Sequence, residues 1–394
     1  MAVETSASAG GRRVYWLEPD VFDTKPNKSP WVEMSRGLKA HGYDVVIVTG
    51  YAREPYRPAG GDVRFDYVPC IKIPCLQRFS LLLSMLPKLM SARKDDIVIV
   101  SPSGLIIAPF LRALGIRNIH LDVRTVPVSV HPLKGRAARL LYWRIPMGRL
   151  HRWARGASFI TARLKQSVEQ EFRTLFEDSV IWESGVNAAA FRLPQGQHRP
   201  FDSRVRTIFY HGSIAADRGI DTVIEALASL DAEHRECLRF VIVGDGGDLA
   251  RIKRLAEKRG LKDCVVFEGL KPYEEMPRLI AQADVCICPL PNRPEWNVSS
   301  PLKVFEYMAC GKPIIVTPIP AHRAVLDGQD FVVWTQGFDA PAFKEAIVYA
   351  LENVERLAKA AASGPAFVES RYDWRQQAAK LAEYLERKFA TAAR

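Results

Sequence analysis

Residues 297–317 read NVSSPLKVFEYMACGKPIIVT, and this stretch decides how the second half of the chain is interpreted. A polar Ser-Ser-Pro turn precedes an amphipathic run (302–310), and a glycine separates that run from an apolar, β-branched segment (314–317). Serine can cap free backbone N–H groups, and proline suits the first helical position. The pattern therefore predicts a loop, a helix, a tight turn and a strand. The free N–H groups at the helix start suit a phosphate.

Two charged residues lie in the first turns of this predicted helix. Lys303 and Glu306 are three positions apart and share one face. The cation could bind a diphosphate, and the carboxylate one turn further in could bind ribose hydroxyls. The same spacing is that of an ordinary surface ion pair, and the helix by itself leaves both interpretations open. Ser299, Ser300 and Leu302 are the accompanying candidates for nucleotide contacts.

The stretch resembles the nucleotide-sugar motif of the group 1 (family four) retaining glycosyltransferases, which have the GT-B fold. Their usual motif has a glutamate, seven residues and a second glutamate, followed by a small residue, glycine, proline and an apolar strand. Glu306 occupies the second glutamate position, which the resemblance assigns to the donor ribose, whereas Val298 occupies the first. A recurring variant reads Ser-Pro-x-Lys-x-x-Glu-Tyr-Met-Ala, and the chain is similar to it over 300–309. Because the missing glutamate usually contacts the donor sugar, the resemblance leaves the donor open.

The length of 394 residues suits two domains, each with its own core. The resemblance implies an α/β GT-B protein in which two Rossmann-like domains face each other across a cleft. We expect a disordered lead (1–12), an acceptor-binding domain (13–195), a nucleotide-sugar-binding domain (196–370) and a C-terminal helix (371–394) that crosses back to the first domain. A polar, glycine-containing segment at 194–200 is the predicted linker.

Several classes of protein are disfavoured by composition. The first twelve residues lack the apolar core of a signal peptide, and no run is long enough to span a bilayer, so we expect a cytoplasmic protein. Seven cysteines without paired metal-ligand spacing are expected to be reduced and structural. The chain contains no Asp-x-Asp triplet. We therefore expect no metal and no cofactor, only a UDP- or GDP-linked sugar as substrate.

The first half alternates strand and helix patterns, which favours a parallel sheet with crossover helices. A predicted strand over 118–123 ends in Asp122-Val123-Arg124-Thr125. Ligands of open α/β sheets bind at the carboxyl ends of strands, so Asp122 and Arg124 are candidate catalytic residues, although a loop salt bridge explains them equally well. The family often carries Asp-x-Arg-Asp here. Thr125 departs from that sequence.

The net charge of +11 lies entirely in the first half, where residues 1–195 carry 28 Lys and Arg against 17 Asp and Glu. A basic stretch over 131–156 interleaves arginines with Leu140, Leu141 and aromatic residues, and no acidic residue occurs between Asp122 and Glu169. This pattern suits an anionic bilayer surface. A helix that packs on the sheet with solvated arginines is the alternative. A nucleic-acid surface is less favoured, because no binding motif accompanies the charge.

The second half predicts further phosphate and nucleotide contacts. A strand runs into Gly212-Ser213, and Arg218 precedes a helix. The family tends to carry a cation at each place for the donor diphosphate; Ser213 replaces the first and Arg218 keeps the second. A glycine turn at Gly244 has counterparts near the nucleotide, although a tight strand-helix turn explains it equally well. Counterparts of Glu268, Gly269 and Leu270 line the base pocket. With Lys303, Arg218 would offset charge on the leaving diphosphate.

The resemblance implies a retaining glycosyltransferase that moves a sugar from a nucleoside-diphosphate sugar to a lipid-linked or glycolipid acceptor in cell-envelope polysaccharide synthesis. We expect it to be peripheral on the inner face of the plasma membrane and to bind no nucleic acid. The replacements at Val298 and Ser213 motivate an alternative, a catalytically silent partner subunit of the same fold. Another GT-B activity, such as a phosphorylase or an epimerase, is a third and weaker possibility.

Overall fold

The computed structural model describes residues 11–23, 28–58, 60–71, 73, 76–127, 132–192 and 205–390. The predicted linker at 194–200 and all but the end of the predicted lead lie outside the described residues.

Two compact units divide the chain: Met1–Glu183 together with Trp374–Arg394, and Ser184–Asp373. The first boundary therefore lies before the predicted residue 195. Val186 pairs with Asp373 in a parallel bridge, and the Phe191 side chain belongs to a core cluster of the second unit. Through these contacts the segment from Ser184 onwards belongs to the second unit and not to the first. The second boundary falls shortly after the predicted residue 370.

The first unit contains a seven-stranded parallel sheet. Its strands are β1 (Arg13–Val21), β2 (Asp44–Gly50), β3 (Arg64–Tyr67), β4 (Ile97–Val100), β5 (Ile119–Val123), β6 (Gly156–Phe159) and β7 (Ser179–Ile181). They lie in the order β3-β2-β1-β4-β5-β6-β7. The continuous apolar run of β4 is wholly buried, as expected for a strand covered on both faces. The predicted α/β class with parallel sheets is confirmed.

Helices and single helical turns connect these strands. The helices are α1 (Ser29–Ala40), α2 (Gln77–Leu89), α3 (Ala108–Ala113), α4 (Pro132–Arg139), α5 (Ala162–Phe172) and the last helix of the chain, α17 (Trp374–Phe389). Turns of 3-10 helix occupy Pro102–Ile107 and His151–Trp153, and π-helical turns occupy Leu140–Arg144 and Pro146–Leu150. The last helix packs on α1, where a side chain at Gly37 would collide with Ala378. No helix in the described ranges is both long and apolar enough for a bilayer span.

The second unit contains a six-stranded parallel sheet. Its strands are β8 (Arg206–His211), β9 (Leu238–Val243), β10 (Val265–Gly269), β11 (Val285–Cys288), β12 (Ile314–Val316) and β13 (Val332–Trp334). Its helices are α6 (Ala188–Phe191), α7 (Ile220–Ala228), α8 (Ala232–Glu236), α9 (Leu249–Lys258), α10 (Met276–Ala281), α11 (Pro294–Asn297), α12 (Leu302–Ala309), α13 (Pro320–Leu326), α14 (Ala340–Glu352), α15 (Val354–Ala361) and α16 (Gly364–Arg371). A 3-10 turn covers Tyr273–Glu275.

The strand order of the second sheet is β10-β9-β8-β11-β12-β13. The chain first adds strands on one side of β8 and then, from β11 onwards, on the other. This reversal creates a switch point between β8 and β11, and ligands of open α/β sheets generally bind at such a point, beside the carboxyl ends of the strands. The stretch quoted from the sequence supplies α12 and β12 next to this point.

Candidate functional site

The loops at the β8–β11 switch point approach each other through glycines. Gly212 follows β8 with φ of 127°, and Gly219 precedes α7 with φ of 72°. A side chain on Gly219 would collide with the carbonyl oxygen of Pro289, the residue after β11. A side chain on Gly244, after β9, would collide with the carbonyl oxygen of Gly212. Glycine is therefore needed at Gly219 and Gly244 for both backbone angle and space, and at Gly212 for backbone angle. The resulting edge is lined by closely packed backbone.

The buried carboxylate of Glu306 lies beside the end of β8. Glu306 is 2% exposed, and its Oε1 accepts a hydrogen bond of 2.9 Å from Tyr273 Oη. Its Oε2 lies 2.9 Å from Nε2 of His211, the last residue of β8. The angles are not those of a hydrogen bond, and neither atom has another partner among the described residues. The two buried atoms thus lie at ion-pair distance from each other, and each lacks a hydrogen-bond partner among the described residues.

Two cations of the site lie on aromatic rings rather than on carboxylates. The Arg218 guanidinium carbon lies 4.2 Å from the centre of the Trp296 ring, and Lys303 Nζ lies 3.9 Å from the centre of the Tyr210 ring. Within the described ranges, neither cation hydrogen-bonds a carboxylate; the nearest approach is 3.8 Å, from Arg218 Nε to Asp217 Oδ1. Among the described residues, Arg218 therefore has one long ion pair, with Asp217, and Lys303 has none.

Both cations also reach the carboxyl end of β11. Burial raises the pKa of the Cys288 thiol, and the nearby charges of Lys303 and Arg218 oppose that rise. Lys303 further approaches Gly212, where a Cβ would lie 3.3 Å from Nζ. Lys303 and Glu306 do not form the surface ion pair that their spacing allowed, since Glu306 contacts Tyr273 and His211 instead. The structure thus brings Gly212, Arg218, Lys303 and Glu306 to one switch point.

The start of α12 lies at the same edge. Pro301 is its N-terminal flanking residue, and no side chain among the described residues caps the helix. The two serines before it have other partners: Ser299 Oγ donates to the Trp296 carbonyl oxygen at 2.8 Å, and Ser300 Oγ accepts from the Ser184 backbone N–H at 3.1 Å. The serines therefore shape the turn, whereas the backbone N–H groups of Leu302 and Lys303 remain for an anion.

The remaining candidates of the second unit follow β8 and β10. Tyr210 Oη donates to the carbonyl oxygen of Ser213 at 2.8 Å. The observed contact of Ser213 is therefore made by its backbone, and it holds the loop after β8. Gly244 N–H donates to the Gly269 carbonyl oxygen at 2.8 Å, which joins the ends of β9 and β10. Glu268 pairs with Lys271 at 3.1 Å, and Leu270 is 73% exposed. An exposed apolar side chain and a nearby ion pair are compatible with a base site, which stays a prediction.

Asp122 and Arg124 belong to the first unit, and no ion pair joins them among the described residues. The Asp122 carboxylate is buried and accepts a hydrogen bond of 2.7 Å from Ser158 Oγ. The guanidinium carbon of Arg124 lies over the Trp182 ring, 3.5 Å from its centre, and Nη1 of Arg124 donates to the Trp182 carbonyl oxygen at 2.8 Å. The loop salt bridge considered from the sequence is therefore not formed. The catalytic assignment of these two residues stays a prediction.

A buried hydrogen-bond chain extends from Asp122 along β5 and β6. Ser158 uses its proton for Asp122, so His120 Nε2 donates to Ser158 Oγ at 2.8 Å and His120 Nδ1 is unprotonated. Burial raises the pKa of Asp122 to about 6, against the opposing effects of Arg124 and Ser158, and lowers the pKa of His120 to about 3. The histidine is thus neutral at neutral pH.

The basic stretch over 131–156 is only partly what its sequence predicts. Residue 131 lies outside the described residues. Tyr142, Trp143 and Met147 are buried, and Trp143 donates a hydrogen bond of 3.1 Å to Glu171, so these predicted surface anchors pack inside the unit. The exposed apolar residues are Leu140, Leu141 and Ile145, and the exposed arginines are Arg136, Arg144, Arg149, Arg152 and Arg155. The segment both packs on its unit and carries exposed apolar and basic side chains.

Three residues of the switch point were not predicted from the sequence: His211, Tyr273 and Trp296. His211 directly precedes the predicted Gly212, so its place at a strand end was an available signal. Tyr273 follows β10 and lies 33 positions before its partner Glu306. Trp296 lies just before the Ser-Ser-Pro turn. Periodicity carries no information on such long-range pairs, and only the folded sheet brings them together.

Comparison with known proteins agrees with this geometry. Residues 205–353, most of the second unit, match the family model described as Glycosyl transferases group 1. The chain is 31% identical over 163 residues to an alpha-D-kanosaminyltransferase of Streptomyces kanamyceticus, with 40% of each chain covered. It is 32% identical over 171 residues to a GDP-mannose-dependent alpha-(1-6)-phosphatidylinositol monomannoside mannosyltransferase of Mycolicibacterium smegmatis, covering 43% of this chain and 44% of the relative. The matches thus span less than half the length of these curated relatives.

Solved structures extend the likeness to almost the whole chain. Sucrose-phosphate synthase of Thermosynechococcus elongatus superposes with a TM-score of 0.80 at 15% identity, covering 96% of this chain and 99% of that one. Anabaena HepE in complex with UDP gives a TM-score of 0.71 at 13% identity, covering 95% of this chain and all of that one. The two Rossmann-like units define a protein of the GT-B fold. Residues 205–353, within the second unit, are similar to the group 1 glycosyltransferases.

Proposed function

We propose that this protein transfers a sugar from a nucleoside-diphosphate sugar to a membrane-associated acceptor, with retention at the anomeric carbon. The observation that carries the proposal is the switch point of the second unit. There a buried carboxylate, Glu306, has an oxygen without a hydrogen-bond partner among the described residues, and Lys303 and Arg218 have no carboxylate hydrogen bond in the same ranges. A nucleoside diphosphate has the complementary groups, hydroxyls for the carboxylate and phosphates for the cations.

The diphosphate would bind at the start of α12. Backbone N–H groups of Leu302 and Lys303 favour an anion there, and the Lys303 and Arg218 side chains add two positive charges. As the bond between the anomeric carbon and the diphosphate oxygen breaks, negative charge grows on that oxygen. Lys303 and Arg218 would stabilise this charge. The acceptor oxygen would then bond to the same face of the sugar, while its proton passes to the leaving diphosphate.

The named relatives support the substrate class. A solved neighbour of the same fold binds UDP, and the matched mannosyltransferase is named for GDP-mannose and a phosphatidylinositol acceptor. Another relative, 33% identical over 112 residues, is a putative colanic acid biosynthesis glycosyl transferase of Escherichia coli. A nucleotide sugar as donor and a lipid-linked glycan or glycolipid as acceptor are consistent with these names. We propose cell-envelope polysaccharide synthesis as the setting.

The acceptor side of the proposal rests on the first unit. Leu140, Leu141 and Ile145 are exposed next to several exposed arginines. An apolar face flanked by cations suits the boundary between headgroups and acyl chains of an anionic bilayer. The proposed location is therefore peripheral, on the inner face of the plasma membrane. Asp122 and Arg124 are the proposed catalytic residues of this unit.

The test is a titration of the full chain with UDP and GDP by calorimetry, followed by turnover of UDP- and GDP-sugars with lipid acceptors from bacterial membranes. The anomeric configuration of the product, read from NMR coupling constants, checks retention. Glu306→Ala should abolish turnover, whereas the matched Glu345→Ala, at an exposed position of α14, should not. Turnover that survives Glu306→Ala at the wild-type rate would contradict the site.

The second candidate is a catalytically silent subunit of the same fold. It is favoured by Val298 and Ser213, which stand where the family usually carries a glutamate and a cation. Binding of UDP or GDP without turnover of any donor would support it. Binding of neither nucleotide would mean that the switch point of the second unit is not a nucleotide site at all.

A further inference from the structure

A tryptophan outside the predicted site connects the two loops that carry its cations. Trp296 Nε1 donates a hydrogen bond of 2.9 Å to the Asp217 carbonyl oxygen, in the loop before α7. The Trp296 carbonyl oxygen accepts from Ser299 N at 3.2 Å and from Ser299 Oγ at 2.8 Å, in the turn before α12. The face of the same ring lies 4.2 Å from the guanidinium carbon of Arg218. Trp296 thus joins the two halves of the anion site, to the loop before α7 through its side chain and to the turn before α12 through its backbone carbonyl.

Arg218 needs such a support because its guanidinium is otherwise weakly held. Its Nε is buried and has no hydrogen-bond partner among the described residues, and Asp217 Oδ1 is 3.8 Å away. A carboxylate partner would orient the guanidinium but would also neutralise it. An aromatic ring attracts the guanidinium group through the ring quadrupole and takes up none of its N–H groups. The N–H groups along the edge of the guanidinium can then form two parallel hydrogen bonds to a phosphate.

We infer that Trp296 is a positioning residue that holds the Arg218 guanidinium edge towards the diphosphate, and this inference rests on the proposed function. Trp296 would thus affect binding of the second phosphate group of the ligand, and not binding of its base or ribose. Its effect should therefore scale with the number of phosphates on the ligand. A purely structural tryptophan would change all ligands alike.

Lys303 has a similar support but a less useful one for a test. Its ring, Tyr210, is fully buried in the core of the second unit, so its removal would disturb packing. Trp296 is only partly buried and belongs to the short helix α11. A matched control is available in Trp334, whose ring lies 4.0 Å from the Arg323 guanidinium carbon. Trp334 lies on β13, the edge strand two places from β11.

The experiment measures dissociation constants of UDP, UMP, GDP and GMP for the full chain by calorimetry, with Trp296→Leu, Trp296→Phe and Trp334→Leu. Wild type should prefer the diphosphate to its monophosphate. Trp296→Leu should weaken diphosphate binding about tenfold and leave monophosphate binding within about twofold. Trp296→Phe keeps a ring and should retain most of the preference, and Trp334→Leu should retain all of it.

A double-mutant cycle with Arg218→Ala completes the design. If Trp296 acts through Arg218, Trp296→Leu should add no further loss of diphosphate affinity in the Arg218→Ala background. Additive losses, or equal losses of mono- and diphosphate binding, would overturn the inference. Should Trp296→Leu fail to fold, a complete loss of the diphosphate preference in folded Trp296→Phe would overturn it as well. Failure of wild type to bind any of the four nucleotides would instead reject the proposed function.

Discussion

Replacement of Glu306 by glutamine removes one charge from a buried site without changing its volume. The carboxylate is 2% exposed and accepts from Tyr273 Oη at 2.9 Å through Oε1. The glutamine oxygen can keep that hydrogen bond, which directs the amide NH2 group towards His211. The atom that we assign to the ribose hydroxyls thereby changes from a charged acceptor into a donor.

The size of the effect follows from the type of hydrogen bond that is lost. A hydrogen bond to a charged group contributes about 1.5–3 kcal/mol, and every 1.4 kcal/mol is about tenfold in affinity. Glu306→Gln should therefore weaken nucleoside-diphosphate binding about 10- to 100-fold. The loss should come from the ribose, because Lys303 and Arg218 still contact the phosphates.

Calorimetry with ribose and 2′- or 3′-deoxyribose forms of the nucleoside diphosphate separates these contributions. Wild type should discriminate against at least one deoxy ligand, and Glu306→Gln should bind ribose and deoxyribose forms alike. Glu345→Gln, at an exposed position of α14, controls for an unspecific change of charge. If Glu306→Gln still discriminates as well as wild type, the carboxylate does not bind the ribose and the reasoning is refuted.

Three further predictions concern other parts of the molecule. Gly244→Ala should lower the free energy of unfolding of the second unit by about 2–5 kcal/mol, because φ is 144° and the new methyl group would collide with the Gly212 carbonyl oxygen. Gly247→Ala is the control, since a Cβ there would have no atom within 4 Å, and it should change the free energy of unfolding by less than about 0.5 kcal/mol. Urea unfolding measures both values. Asp122 has its pKa raised to about 6 in the fold, so the folded state binds this proton more tightly than the unfolded chain and its contribution to stability falls as pH rises from about 4 through 6. Relative to wild type, Asp122→Asn should thus be more stable at pH 7.5 than at pH 5, by about 1 kcal/mol; no pH dependence of that difference would speak against the buried carboxylate. Ile145→Asp should reduce sedimentation with vesicles containing anionic lipid, and binding of wild type should weaken as salt rises; unchanged binding of the variant would exclude Ile145 from the membrane face.

The helix and strand pattern of the second unit was largely predictable, because strong local signals lie at its important points. The apolar strands, the glycine turns at Gly212 and Gly244 and the Ser-Pro start of α12 were all read from the sequence within a few residues. Glycine at a positive φ and an uncapped helix start are local backbone requirements. They leave a trace in residue type even when the partner is far away.

The contacts of the site were less predictable. The spacing of Lys303 and Glu306 allowed a surface ion pair, yet the structure buries Glu306 against Tyr273 and His211. The aromatic residues of the basic stretch suggested surface anchors, yet Trp143 is buried and bonded to Glu171. In each case the local pattern predicted only which side of its own helix the side chain lies on. Which side of the helix faces the protein was decided elsewhere.

The sequence by itself determined the α/β class, the parallel sheets, the cationic first half and the helix start that suits a phosphate, because these depend on residue type and short-range periodicity. Only the tertiary structure decided that Arg218 and Lys303 lie on aromatic rings and that Glu306 Oε2 lies beside His211 Nε2. It also decided that the segment after residue 183 belongs to the second unit. The physical reason is that the side chains in each of these contacts come from parts of the chain far apart in sequence. The order of strands in the sheet sets the distance between those parts.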